Sequence, residues 1–432
     1  MSENKTTTTT SRRDFLQKSS MFALGSMAIP TIMKSSVLGL NGVISPNNKI
    51  NLGFIGAGGN IVQRHIGFHL SNPAIKPLYI CDVHKGKLEK TYNRFKQQGQ
   101  GDVTQVEHFE EVINDPSVDA VVITTPDHWH VAIAIAAMSQ GKDVYVEKPI
   151  SLTIEEGKAI AEAEQRYGRI VQVGSQQRSD TYFRRAARLV RNGYIGEIKE
   201  IHVKLGAFPK PKLGKAEQIP DGFNYDKWLG QAPYEPYFSN RVKGAASGGW
   251  RCFWEYGSRK NGDWGAHHFD IIQWALGMDE SGPTHFVPKG HNGEKYAYYT
   301  YDNGVKVIRD NPKYSHMITF VGTEGTIGVS RGGRLVTSNP KLAKMSFKLS
   351  DQRLYVSNKH EQNWIDSMYS RKQTICPASV GHRTATICQL AGIAERLERP
   401  IHWDPKTQQI IKDEEAKRWM SRPRRAGYEL PV

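Results

Sequence analysis

Residues 50–60 read INLGFIGAGGN, an apolar run that stops on a glycine-rich turn, and residues 62–70 predict a helix beyond it. A short buried strand that passes through such a turn into a helix opens a parallel βαβ unit. In that geometry Gly56 makes the tight turn and Gly58 lets a pyrophosphate approach the backbone. Gly59 and Asn60 then complete a cradle of amides at the helix N-terminus. The third glycine of G-x-G-x-x-G falls at position 61, where this chain has Ile61, and that leaves the fit of helix on strand open. A second strand over residues 77–81 ends at Asp82, placed to accept hydrogen bonds from a ribose. A carboxylate there disfavours a 2′-phosphate, so the expected cofactor is NAD, with NADP less favoured despite Lys85 and Lys87. Taken alone, Asp82 also suits a helix N-cap.

The same reading extends to KDVYVEKP, residues 142–149. Alternation of Asp143, Tyr145 and Glu147 with Val144, Val146 and Lys148 predicts a strand, which Pro149 ends because it has no amide to donate. Strand ends in a doubly wound sheet point at the ligand crevice, so Lys148 would be delivered to the chemistry. Residues 118–124 form another Val- and Ile-rich strand, closing on Thr125, Pro126, His128 and His130. Helices over 131–138 and 153–167 and a strand over 169–173, ending near Gln176, Gln177 and Arg178, complete a parallel sheet covered on both sides.

With 432 residues and 38% hydrophobic content the chain can bury a large core and build more than one domain. Its net charge of +15 is not organised into a zinc finger, an RNA-binding aromatic signature or an unbroken basic helix face, so no nucleic-acid partner is expected. Residues 11–18, SRRDFLQK, resemble a twin-arginine export signal, and the apolar run 21–33 behind them is too short to span a bilayer. We expect a soluble periplasmic protein exported already folded, with no stable membrane anchor. Cys81, Cys252, Cys376 and Cys388 are too dispersed for a zinc site, although a Cys376–Cys388 bridge stays open.

Beyond residue 179 the pattern changes to short strands, long loops and turn clusters, which predicts a mainly antiparallel second sheet. Arg184, Arg185, Arg188 and Arg191 read as a solvated helix face, and the basic run 417–425 as a solvated arm. Residues 223–274 are dense in tryptophan, suited equally to sugar faces and to a core. Within them lies DWGAHHFD, residues 263–270. On a regular helix Asp263 and His267 share a face, with Asp270 on the same side, and an imidazole held by a carboxylate suits a general base. No H-E-x-x-H or cysteine pair accompanies them, so no metal is expected.

The glycine turn, the strand ending in Glu147-Lys148-Pro149 and the later D-x-G-x-H-x-x-D, in this order, resemble the Gfo/Idh/MocA oxidoreductase family. The resemblance covers nearly everything after residue 48, including Trp403-Asp404-Pro405, which is similar to exported members. It implies an α/β fold: an N-terminal Rossmann doubly wound parallel sheet and a C-terminal α/β domain with an open, mainly antiparallel sheet that serves as a homo-oligomer interface. The expected division is a signal and linker over 1–48, the NAD-binding domain over 49–174, and a substrate and oligomerisation domain over 175–432. The family's catalytic residues fall on Lys148, Asp263 and His267.

The expected cofactor contacts are Gly56, Gly58, Gly59, Asn60, Asp82, Thr125, Pro126, His128, His130, Glu147, Lys148 and Gln176. For the substrate they are Lys148, Gln177, Arg178, Arg251, Trp254, Asp263 and His267. The expected activity is hydride transfer between a secondary hydroxyl of a sugar or glycoside and a tightly bound NAD. Two alternatives stand beside it. One is a redox-neutral glycoside hydrolase that uses its NAD transiently; the other is a non-catalytic sugar-binding protein of the same fold.

Overall fold

A computed structural model describes residues 48–207, 209–244 and 248–431. The twin-arginine-like stretch and the apolar run behind it lie outside the described residues.

The first sheet is built around β1 (Ile50–Ile55), which pairs in parallel with β2 (Ile75–Cys81) on one side and β4 (Ala120–Ile123) on the other. With β3 (Thr104–Val106), β5 (Asp143–Val146) and β6 (Val171–Val173) the order is β3-β2-β1-β4-β5-β6, all parallel. The order reverses between β1 and β4, and a crevice opens there at the carboxyl ends of the strands. Every residue of β4 and β5 is buried. In β5 this includes Asp143 and Tyr145, as expected of a strand in a sheet that helices cover on both sides. The strand also ends at Val146, so Glu147 and Lys148 belong to the loop beyond it, and the Lys148–Pro149 bond is cis.

Helix α1 (Asn60–Leu70) follows the glycine turn, α2 (Lys85–Gln97) follows β2, α3 (Phe109–Asn114) and α4 (His130–Ser139) flank β4, and α5 (Ile154–Tyr167) follows β5. The start of α5 is fixed by a capping box. Thr153 Oγ1 accepts from the Glu156 amide at 3.2 Å, and the Glu156 carboxylate accepts from the Thr153 amide at 3.1 Å. Gly168, at φ 60°, closes the helix in the left-handed region.

After α6 (Thr181–Arg191) the chain lays down β7 (Ile198–Val203), the helix α7 (Ala266–Leu276), and the strands β8 (His285–Val287), β9 (Tyr298–Thr300), β10 (Lys306–Arg309), β11 (Ile318–Gly322), β12 (Thr326–Ser330) and β13 (Arg334–Thr337). Helices α8 (His360–Ser370) and α9 (Ala378–Leu397) and strands β14 (Ile401–Asp404) and β15 (Gln409–Ile410) follow. The second sheet runs β13-β12-β11-β7-β10-β9-β8-β14-β15 and is antiparallel except where β7 meets β10. One apolar core serves both sheets: Val146 and Val173 of the first belong to the same cluster as Phe269, Phe320 and Ile401. The tryptophan-rich segment makes a second cluster, with Trp228, Trp250 and Tyr256 buried among Tyr225, Tyr237 and Phe253.

Two surface expectations are corrected, and one open pairing is decided. The arginines of α6 are not a solvated face: Arg185 donates to the Leu342 and Met345 carbonyls at 2.9 and 2.6 Å, and Arg188 stacks on Phe347. Arg185 thereby satisfies two carbonyls of the irregular stretch after β13. The basic tail is not a free arm, because Arg422 donates to the Trp254 carbonyl, Arg424 pairs with Glu156, and Arg425 pairs with Asp226 at 2.5 Å. The four cysteines are buried and free, so Cys376 and Cys388 form no bridge. Among the described residues no helix is long and apolar enough to cross a membrane, and no group of His, Cys, Asp and Glu side chains could hold a metal ion.

Candidate active site

A cleft of about 660 Å³ opens at the reversal of strand order, a size that holds a small-molecule ligand. Of the expected contacts, Gly56, Gly58, Gly59, Asp82, Thr125, Pro126 and Arg251 line it. Gly56 has φ 95°, and a Cβ there would fall 2.6 Å from the Thr125 amide nitrogen, so both torsion and the close approach of β4 demand glycine. A Cβ on Gly58 would fall 2.9 Å from an Asp82 carboxylate oxygen and 2.4 Å from Lys87, which fill that space. Asn60 opens α1, which carries no side-chain cap, leaving its first amides for a ligand. The Thr125 hydroxyl is buried in the cleft without a hydrogen-bond partner. Such a cradle, with an orphaned hydroxyl and a carboxylate at the end of β2, fits a dinucleotide.

Asp82 does not cap α2, whose N-cap is His84; it accepts from the His84 amide at 2.9 Å. Burial raises its pKa, opposed by Lys87 and the His84 and Gly58 amides. Ile61 forms part of the cleft wall, while α1 packs on the sheet through Val62 and Ile66, both fully buried. The missing third glycine therefore changes the wall of the cleft without lifting the helix off the strands.

The Lys148 ammonium donates to the Asp263 carbonyl at 2.8 Å and to its carboxylate at 3.2 Å. Arg251, which lines the cleft, places Nε 3.6 Å from the same carboxylate. Behind Lys148 stands a buried layer. Glu147 accepts from the Lys148 amide at 3.2 Å, from Gln176 at 2.9 Å and pairs with His65 at 3.0 Å. Burial would lift the Glu147 pKa, but the His65 hydrogen bond and charge, together with Lys148, win and hold it down to about 2. His130 sets one ring nitrogen 2.8 Å from the Pro149 carbonyl and the other 3.0 Å from that of Thr125, joining the ends of β4 and β5. Glu147, His130 and Gln176 thus position the loop and do not line the cleft.

His267 is 7% exposed, and its Nδ1 has no partner. Burial, then the positive charges of Lys148 and Arg331, hold its pKa well below the ordinary value, so the imidazole is neutral and able to accept a proton. The expected Asp263–His267 pair does not form. Residues Asn261–Gly265 make a π-helical turn rather than an α turn, so the four-residue spacing no longer aligns the two side chains, and the carboxylate goes to Lys148 and Arg251. Asp270 also leaves the imidazole: it is fully buried, accepting from Arg178 at 2.8 Å and from Thr384 at 3.2 Å.

Three proposed ligand contacts lie elsewhere. Arg178 is fully buried, with its guanidinium spent on Asp270 and on both oxygens of Asp279 at 2.7 and 3.0 Å. Trp254 carries Arg422 at 4.2 Å and Arg396 at 4.9 Å over its ring and faces a different pocket. His128 is buried against Trp228, whose carbonyl lies 2.9 Å from its Nε2, and burial lowers its pKa to about 4. Gln177 stays close to the chemistry: its amide donates to the His267 carbonyl at 3.3 Å and accepts from Arg331 at 3.2 Å.

Arg331 itself was missed. It sits in the turn between β12 and β13, over the Trp264 ring at 4.9 Å, and nothing in Arg-Gly-Gly distinguishes it from an ordinary surface turn. Asp127 was also passed over, although it lies among the histidines after β4. It is 6% exposed, and burial raises its pKa against the opposing charges of His130, Arg251 and Lys148.

Residues 50–175 match the model of the oxidoreductase family's NAD-binding Rossmann fold, and residues 195–430 match that of its C-terminal alpha/beta domain, the two halves of the Gfo/Idh/MocA family. The chain belongs to the Gfo/Idh/MocA oxidoreductase family. It is 29% identical over 272 residues to the scyllo-inositol 2-dehydrogenase (NAD(+)) of Bacillus subtilis, covering 60% of this chain and 67% of that protein. It is 32% identical over 154 residues to a glycosyl hydrolase family 109 protein of Solibacter usitatus, 34% of either chain. The WlbA dehydrogenase of Bordetella pertussis, solved with NADH and UDP-GlcNAcA, shares the fold at a TM-score of 0.59 and 18% identity, over 82% of this chain and 98% of that one. As a Gfo/Idh/MocA member the protein is an NAD-binding oxidoreductase, homologous to inositol dehydrogenases.

Proposed function

We propose that the protein interconverts a secondary alcohol and a ketone on a sugar, cyclitol or glycoside, using NAD in preference to NADP. The observation that carries this reading is Lys148, an ammonium clamped by the backbone carbonyl and one carboxylate oxygen of Asp263 while a neutral His267 feels its charge. NAD, when bound, supplies the hydride acceptor. His267 takes the hydroxyl proton, and Lys148 stabilises the negative charge that develops on the oxygen. Asp263 fixes the ammonium, and Arg251 links this group to the cleft. Asp82 supports the preference for NAD, since a carboxylate suits ribose hydroxyls and repels a 2′-phosphate.

Export through the twin-arginine route, tight retention of the cofactor and assembly through the second sheet complete the proposal. Free dinucleotide is scarce outside the cytosol, so a folded, loaded protein meets the need. Mass spectrometry of the supernatant from the denatured protein tests this directly: NAD in near-equal amount to protein is expected, and NADP or no dinucleotide overturns it. A polyol and sugar panel then identifies the alcohol.

The likeness to a glycosyl hydrolase family 109 protein favours one second reading, a hydrolase that oxidises and re-reduces the sugar in one cycle. Release of nitrophenol from nitrophenyl glycosides without added acceptor supports the hydrolase, and accumulation of a keto-sugar supports the dehydrogenase.

A further inference from the structure

A second pocket, of about 460 Å³, lies between the docked C-terminal tail and residues 231–233, and shares no lining residue with the dinucleotide cleft. The His128 and Trp228 rings, 5.6 Å apart, stand between them: His128 lines the smaller pocket and Trp228 the larger. Gln231 lines the smaller pocket at 6% exposure, and neither its amide nitrogen nor its oxygen has a hydrogen-bond partner. A buried primary amide with both ends unmet is costly, and native structures satisfy such groups with protein, water or ligand.

Beside it, Arg422 stacks on Trp254 at 4.2 Å and donates to the Trp254 carbonyl, while its Nε has no partner. Glu156 and Glu255 act on this guanidinium only through space, and Glu156 is already paired with Arg424. Glu415, also in the wall, is paired with Arg399 at 2.8 Å. Of the charged residues that line the pocket, Arg418 and Arg422 are then left with Glu255 alone, an excess of positive charge, and Leu152, Ala232 and Pro233 add apolar lining.

We propose that this pocket is a second ligand site for a small hydroxy-carboxylate, such as a sugar acid, whose carboxylate sits on Arg422 and whose adjacent hydroxyl meets the Gln231 amide. A carboxylate alone answers only donors. A hydroxyl both donates and accepts a hydrogen bond, which is what the two open ends of the amide require. The site is independent of the oxidoreductase chemistry.

Titration calorimetry of the full chain carrying its cofactor tests the assignment with D-glucuronate, against D-glucose as the neutral analogue. Glucuronate is expected to bind at least tenfold more tightly than glucose. Gln231→Leu and Arg422→Gln should each weaken it at least tenfold, and Asp263→Asn should leave it unchanged. Gln231→Leu removes no hydrogen bond made within the protein, so it stays decisive if the Arg422 variant misfolds. Absence of glucuronate binding, equal affinity for glucose, unchanged affinity in Gln231→Leu, or loss in Asp263→Asn would each overturn the proposal.

Discussion

The Lys148 ammonium lies 2.8 Å from the Asp263 carbonyl oxygen and 3.2 Å from its carboxylate, across 115 residues of chain. If this ammonium stabilises developing negative charge, Lys148→Ala should lower kcat by about 10²- to 10³-fold, the usual cost of one such donor. Asp263→Asn keeps the carbonyl contact and should cost less, on the order of tenfold. Steady-state kinetics with dinucleotide affinity measured in parallel would check this; a loss of affinity without a fall in kcat would assign Lys148 to binding alone.

Asp82 and Lys87 crowd the space a Gly58 side chain would need. Asp82→Ser removes the carboxylate that would repel a 2′-phosphate and leaves Lys87 free to meet one. The ratio of kcat/KM with NADP to that with NAD should rise at least about tenfold. An unchanged ratio would remove Asp82 from cofactor selection.

His69 is fully buried with neither ring nitrogen partnered, and burial lowers its pKa from 6.5 to about 3. Between these values the unfolded chain takes up a proton that the folded chain refuses. The stability owed to a neutral His69 is therefore complete above pH 6.5 and is lost as pH falls toward 3, by at most about 1.4 kcal/mol per pH unit. His69→Phe keeps the aromatic packing and should lose less stability than the parent between pH 6.5 and 4, as read from urea unfolding at each pH. Parallel curves for the two proteins would contradict the assignment.

Arg178 pairs with Asp270 and Asp279 in a site where its own side chain is 2% exposed and that of Asp270 is 0%. Arg178→Met strands a buried carboxylate and should destabilise the fold by about 3–5 kcal/mol. Protein that remains folded should keep its KM for the sugar. A raised KM without a fall in Tm would return Arg178 to the substrate site.

What could be read from the sequence follows how locally each feature is determined. The glycine turn and Asp82 were legible because the torsion at Gly56 and the position of a residue at a strand end depend on a few neighbours. The strand before Lys148 was legible in the same way, although it ends at Val146, so that Lys148 sits in the loop and not on the strand that Pro149 was expected to close. The partner of Asp263 was not, because an α-helical spacing was applied to a π-helical turn. Arg178 was read as a ligand contact because its partner Asp279 lies 101 residues away. The tail arginines read as solvated because each docks on a partner distant in sequence, such as Glu156 or Asp226.

The most direct measurement is the near-ultraviolet absorbance of NADH on mixing the NAD-loaded protein with a polyol and sugar panel, for the parent and Lys148→Ala. The account predicts that at least one polyol or sugar produces the reduced band in the parent, and that its rate falls by about 10²-fold or more in the variant. Equal rates in the two proteins, with NAD bound in both, would contradict it.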